Sequence, residues 1–183
     1  MRADLLLSGL LPTQGIRTVT ERADEASADA IFVCIRGARA DGHDFAPTAY
    51  RKGCRIFVAE RPLDLPSDAR ILTVPSTREA LAHLACTFYQ NPSRELRVIG
   101  ITGTKGKTTT TYMVRGVMDA IAGRSTGLVS GMERDVGGEV IASHLTTPES
   151  LEMQQLFAEA RENGMPIVTA AISSQAYKLD RVY

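Results

Sequence analysis

The residues best placed to do chemistry are Gly103-Thr104-Lys105-Gly106-Lys107-Thr108, followed by Thr109. They lie between an apolar run, Leu96 to Thr102, that reads as a buried strand, and a stretch from about Thr108 to Ala122 that reads as a helix. Glycines at 103 and 106 let the backbone curl so that several N–H groups face one anion. The helix N-terminus behind them adds partial positive charge. Lys107 then reaches the outer phosphates of a nucleotide as a point charge, and the Thr108 hydroxyl is the expected Mg²⁺ contact. The spacing departs from GxxxxGK[ST], because Ile101 stands where that pattern has its first glycine. The bland alternative, a glycine turn with two solvated lysines, fits less well with a GKT sequence at a strand-to-helix transition.

Elements on both sides must hold this loop in place. Ala30 to Ile35, Arg55 to Ala59 and Arg70 to Val74 are short apolar runs rich in β-branched and aromatic residues, and are expected strands. Phe45 to Lys52 reads as a short helix closed by Gly53. Ser76 is the expected N-cap of the next helix, with Glu79 completing a capping box. That helix places Ala80, Leu81, Leu84, Ala85 and Phe88 on one face. Asn91-Pro92-Ser93 ends it and marks the expected domain boundary, giving domains 1–93 and 94–183. Beyond the phosphate loop, Gly123 ends the helix and Thr126 to Val129 is an expected strand. Asp135 to Ala142, with Gly137-Gly138, reads as a loop or hairpin. Thr147 and Pro148 are expected as N-cap and first residue of a helix running to Gly164. Ile167 to Ile172 is the last expected strand. The alternation of strands and helices predicts an α/β fold in two units.

Composition narrows the function. The 183 residues carry 21 basic and 21 acidic side chains, so no whole-chain field draws in nucleic acid or an anionic membrane. An anionic ligand must be held locally. Cys34, Cys54 and Cys86 are widely spaced, without a CxxC pair, which reads as buried reduced thiols and a cytoplasmic location. The leucines of Met1 to Pro12 are too interrupted for a signal peptide or membrane span, and an opening helical turn docked on the first domain is expected there.

Four segments taken together resemble one family. Val98 to Thr111 (VIGITGTKGKTTTT) is similar to the ATP-binding segment of Mur ligases, and Leu145 to Ser150 (LTTPES) to their substrate segment. Ser173 to Val182 (SSQAYKLDRV) and Arg36 to Phe45 (RGARADGHDF) are similar to two further segments of the family, in the same order. The likeness points to the branch that adds the third residue, the UDP-N-acetylmuramoyl-tripeptide synthetases. It implies an N-terminal mixed α/β UDP-binding domain followed by a partial P-loop-type parallel-sheet ATPase domain. It also implies ATP and Mg²⁺ as cofactors, and a UDP-N-acetylmuramoyl-peptide and an amino acid as substrates. The implied chemistry passes the γ-phosphoryl group to a substrate carboxylate, and an amine then displaces phosphate from the acyl phosphate. By the resemblance, Gly103 to Thr109 bind ATP, with Lys107 catalytic and Thr108 on the metal. Thr146, Thr147, Ser173 and Arg181 would touch the UDP-sugar peptide, and Arg39, in the loop Gly37–Asp41, would approach its pyrophosphate.

The chain departs from the family pattern at several positions. Lys105 stands where asparagine is usual, Ala171 where a glutamate helps hold magnesium, and Gln175 where a histidine does. The DSR segment of the first domain falls on Arg22-Ala23-Asp24. The chain also stops before the family's third domain, which chooses the amino acid. These departures raise a second reading, a non-catalytic paralogue that binds nucleotide or UDP-sugar. A generic P-loop NTPase does not explain LTTPES or SSQ, and a folate-polyglutamate ligase does not explain ADGHDF.

Overall fold

The computed structural model describes residues 15–37 and 40–182. The opening turn expected at Met1 to Pro12 and the side chain of Arg39 lie outside the described residues. The chain divides into two compact units, Met1–Leu84 and Ala85–Tyr183. The division lies ahead of the Pro92 boundary read from the sequence, inside a continuous helix.

In the first unit, β1 (Thr18–Thr20), β2 (Ala30–Val33), β3 (Ile56–Ala59) and β4 (Arg70–Thr73) form a parallel sheet in sequential order. Every residue of β2 and β3 is buried. Both strands are therefore unbroken apolar runs, as a parallel sheet covered on both faces requires. Phe32 and Phe57 are register partners and meet edge to face at 6.1 Å. The expected Phe45 to Lys52 helix is found as α1 (Ala46–Arg51), preceded by a 3₁₀ turn over Gly42–Phe45. α2 (Thr77–Phe88) begins as expected, with the Ser76 hydroxyl accepting from the Glu79 N–H at 3.2 Å. β1 was not legible in the sequence; it is three residues long and polar at both ends.

In the second unit the sheet order is β5-β9-β6-β7-β8. β5 (Arg97–Ile101), β9 (Ile167–Ala171) and β6 (Gly127–Val129) run parallel, while β7 (Glu133–Asp135) and β8 (Ile141–Ala142) add an antiparallel hairpin. That hairpin is the ordered form of the Asp135 to Ala142 segment. α3 (Lys107–Ala122) follows the phosphate loop and ends at Gly123, whose φ of 65° reverses the chain. α4 (Ser150–Glu162) packs Met153, Leu156 and Phe157 into a core with Val129, Val168, Ala170 and Ile172. A short α5 (Ser174–Lys178), absent from the expectations, follows β9.

β5 is not the buried strand expected at Leu96 to Thr102, since its residues are exposed or half-buried, and the start of α4 differs from expectation as well. Thr147 does not cap α4, and Pro148 is not its first residue. The helix starts at Ser150, with Glu149 at the N-cap in extended conformation. Thr147 is fully buried, and its hydroxyl is committed to the end of β9 instead.

Candidate functional site

The phosphate loop leaves β5 after Ile101 and enters α3 at Lys107, so it lies at the carboxyl end of a parallel strand. β5 pairs with β9 and not with the next strand in sequence, and the loop lies beyond the carboxyl end of β5, the end of the strands at which open α/β sheets bind ligands. Gly106 caps α3 with φ 77°, ψ −3°, a left-handed conformation that favours glycine, and it offers no side-chain cap. Nothing lies within 4 Å of where its Cβ would be, so backbone conformation rather than crowding demands glycine. The first-turn N–H groups of α3 are thus left for a ligand. Lys107 Nζ donates to the Gly103 carbonyl at 2.7 Å, which holds the side chain folded over its own loop. Thr111 is buried and donates to the Lys107 carbonyl at 2.7 Å, pinning the first turn. Thr104, Lys105 and Thr109 are exposed, and Thr108 is half-buried.

A second wall is built at the end of β9. The Thr147 hydroxyl donates to the Ala171 carbonyl at 2.9 Å and accepts from the Ser173 N–H at 2.9 Å. The threonine side chain thereby fastens the LTTPE segment to the strand that neighbours β5. Ser173 caps α5, its hydroxyl accepting from the Ala176 N–H at 3.2 Å. Arg181 is no solvated surface charge: its side chain is 11% exposed, pairs with Glu149 at 2.7 Å and donates to the Thr147 carbonyl at 3.3 Å. Thr146 packs against Gly131, just past β6. The four residues 146, 147, 173 and 181 are therefore brought together at the carboxyl ends of β9 and β6. Glu149, the anchor of Arg181, was not singled out in the sequence, although it follows Thr147-Pro148 directly.

Burial pushes up the pKa of Tyr112, on the second turn of α3.

In the first unit the ADGHDF segment forms a network of its own. The Glu60 N–H donates to His43 Nε2 at 2.9 Å, which leaves the proton on Nδ1, and Nδ1 donates to Asp41 at 2.6 Å. Asp41 also accepts from the His43 N–H at 3.0 Å and faces Arg61 at 3.4 Å and Arg36 at 3.7 Å. Hydrogen bonds from the His43 backbone and ring hold the Asp41 carboxyl down at a pKa of about 2. Glu60 in turn accepts from the Thr77 N–H at 2.9 Å and hydroxyl at 3.0 Å. Gly42 sits where a Cβ would fall 2.6 Å from the Ile35 nitrogen, so the loop folds onto β2 only with glycine there. The Asp41-x-His43 spacing signalled part of this network; Glu60 gave no signal beyond its place after β3. The Arg22-Ala23-Asp24 segment is turned in on itself, with Arg22 paired to Asp24 at 2.7 Å and Glu25 at 2.8 Å.

The residues present fit a nucleotide phosphate: a left-handed glycine, an uncapped helix start and a lysine meet in one loop. They do not fit a resident magnesium ion. Thr108 offers a single hydroxyl, and the segment after β9 reads Ile172-Ser173-Ser174-Gln175 without a carboxylate. Among the described residues no group of three His, Cys, Asp or Glu could hold a metal.

Comparison with known proteins agrees with the two units. Residues 16–89 match the model described as Mur ligase family, catalytic domain, and residues 101–183 match the Mur ligase middle domain. The chain belongs to the Mur ligase family. Among its relatives is a UDP-N-acetylmuramoyl-L-alanyl-D-glutamate–2,6-diaminopimelate ligase of Clostridium botulinum, 41% identical over 156 residues, or 84% of this chain and 32% of the relative. The ligase of the same name from Bacillus licheniformis is 38% identical over 168 residues, or 92% of this chain and 34% of the relative. A solved structure of such a ligase superposes with a TM-score of 0.74 at 18% identity, covering 93% of this chain and 34% of that one. A MurF ligase from Thermotoga maritima, described as in complex with ADP, gives a TM-score of 0.54 at 22% identity, covering 90% of this chain and 34% of that one. The chain thus spans about a third of the length of the relatives it matches. No helix among the described residues is long and apolar enough to cross a membrane.

Proposed function

We propose that this chain is the substrate-gripping and phosphate-binding part of a cytoplasmic, ATP-dependent ligase that adds an amino acid to a UDP-N-acetylmuramoyl-peptide in peptidoglycan synthesis. In this reading residues 1–93 hold the UDP end of the substrate and residues 94–183 hold ATP. The observation that carries it is the loop Gly103 to Thr108, with a left-handed Gly106 and Lys107 at the carboxyl end of β5, beside the Thr147–Ser173 wall. Lys107 would leave the Gly103 carbonyl for the outer phosphates, and the first-turn N–H groups of α3 would receive the rest of the charge. Thr146, Ser173 and the segment held by Arg181 would orient the acceptor peptide so that its carboxylate meets the γ-phosphoryl group. No step is assigned to a metal.

A second reading, a non-catalytic paralogue that binds nucleotide or UDP-sugar, is favoured by the lack of a carboxylate set for a metal among the described residues. Two measurements test the function and separate the readings. Isothermal titration of ADP and of a UDP-N-acetylmuramoyl-dipeptide should show binding of both, with ADP binding lost or weakened at least fivefold in Lys107→Ala. Failure of ADP to bind, or unchanged ADP binding in the variant, refutes the assignment of the loop, and failure of the UDP-N-acetylmuramoyl-dipeptide to bind refutes the substrate-gripping role of the first unit. In the second measurement the 183-residue chain, given ATP, a UDP-N-acetylmuramoyl-dipeptide and amino acids, should form no amide bond. Amide formation by this chain alone would eliminate the non-catalytic reading.

A further inference from the structure

We infer that the loop Gly103 to Thr108 binds nucleotide phosphates without a divalent metal, Lys105 supplying the countercharge that a metal ion would otherwise bring. The inference rests on the nucleotide reading of this loop and goes further by stating which form of the ligand it takes.

The local charge balance is one-sided. From Leu96 to Met118 the chain carries Arg97, Lys105, Lys107 and Arg115 and no acidic residue. The first carboxylate beyond, Asp119, is occupied by the Thr126 N–H at 2.6 Å and hydroxyl at 2.7 Å. Arg115 is drawn away to Asp135 at 2.5 Å. The charges left at the loop are therefore Lys105 and Lys107, two residues apart on either side of Gly106. Lys107 is folded onto the Gly103 carbonyl, while Lys105 is exposed in the curl of the loop.

Among the described residues no group of three His, Cys, Asp or Glu could hold a metal at this edge. Glu149 pairs with Arg181 at 2.7 Å. The segment after β9 offers only Ser173, Ser174 and Gln175, and a neutral amide or hydroxyl is a weak Mg²⁺ ligand beside a carboxylate. A Mg²⁺ ion arriving on the nucleotide would thus gain little from the protein. It would also cancel part of the charge that two lysines and a helix N-terminus attract. The metal-free nucleotide is then the better ligand, the reverse of a site that clamps Mg²⁺ between protein and phosphate.

The experiment is isothermal titration of ADP into the whole 183-residue chain, once in excess EDTA and once in millimolar MgCl₂, with Lys105→Asn and Lys107→Ala beside the unsubstituted protein. ADP should bind at least as tightly in EDTA as in MgCl₂. Lys105→Asn should weaken binding in EDTA by about fivefold, the upper range for one exposed charge, and have a smaller effect in MgCl₂. Binding that depends on Lys107 but tightens threefold or more with MgCl₂ overturns the inference and leaves the nucleotide reading standing. Unchanged affinity of Lys105→Asn in EDTA also overturns it, since the countercharge would then lie elsewhere. No ADP binding under either condition, or binding indifferent to Lys107→Ala, removes the nucleotide reading and the inference with it. Lys105 is exposed, and the comparison of EDTA with MgCl₂ needs no variant, so misfolding cannot imitate the result.

Discussion

Replacing Thr147 by valine removes a hydroxyl while keeping the side chain's shape. Thr147 is fully buried, and its oxygen serves two backbone groups at once, the Ala171 carbonyl and the Ser173 N–H, each at 2.9 Å. Valine returns nothing to either. A buried polar group left without its partner costs about 1–3 kcal/mol, so Thr147→Val should destabilise the second unit by about 2–4 kcal/mol. With a urea slope of about 2 kcal/mol per M, the midpoint of that unit's transition should fall by about 1–2 M. The chain has no tryptophan, so far-UV circular dichroism is the appropriate probe, followed through both units' transitions. Thr147→Ser keeps the hydroxyl and loses one buried methyl, and should cost about 1 kcal/mol. A Thr147→Val midpoint within about 0.3 M of the unsubstituted chain, or a serine variant as damaged as the valine one, would refute the claim that the hydroxyl fastens LTTPE to β9.

Two further outcomes concern the first unit. The Asp41 carboxyl, held at about pH 2 by the His43 N–H and ring, contributes stability that is complete above the ordinary carboxylate range and is lost as pH falls through about 2. Carbon-detected NMR titration should show Asp41 charged at pH 3, and Asp41→Asn should remove the part of the acid-stability curve that falls between about pH 4 and 2. Burial pushes the Cys34 thiol up to about 12 and raises Cys54 as well, so neither should react with a thiol reagent at pH 8 until the unit unfolds, whereas half-buried Cys86 should label first. Rapid labelling of Cys34 in the native protein would contradict its placement against β3.

Where the sequence could be read, one physical signal dominated. β2, β3 and β9 were legible because strands of a parallel sheet are unbroken apolar runs, and the phosphate loop because its glycines and lysine sit at a strand-to-helix change; β5 was legible as a strand, but not its exposure. Thr147 shows where such reading stops. A threonine before proline has the local signature of a helix cap, and only the fold reveals that Ala171 and Ser173, some two dozen residues later, claim its hydroxyl first. Arg181 was similar. The resemblance singled it out as a substrate contact, but its tertiary pairing with Glu149 carries no local pattern. β1 and α5 are too short to develop a period. The lysine at 105 could be seen in the sequence, but its significance could not, because that depends on Glu149 being paired with Arg181.

The second sheet is unequal at its two ends. β8 is two residues long, while β5 is five residues long and pairs on one side only, with β9, among the described strands. Val98 on β5 is 37% exposed, and an apolar cavity of about 430 Å³ opens beside it, lined by Gly100, Phe157 and Ile172. The sheet can therefore be lengthened in one direction, because one rim presents a row of backbone donors and acceptors and the other presents a stub. Any strand laid along that rim would run beside the residues that lead into Gly103. Assembly at this edge and occupancy of the phosphate loop would then draw on the same few residues of backbone, and the order in which they occur would decide how rigid the loop is when its ligand arrives.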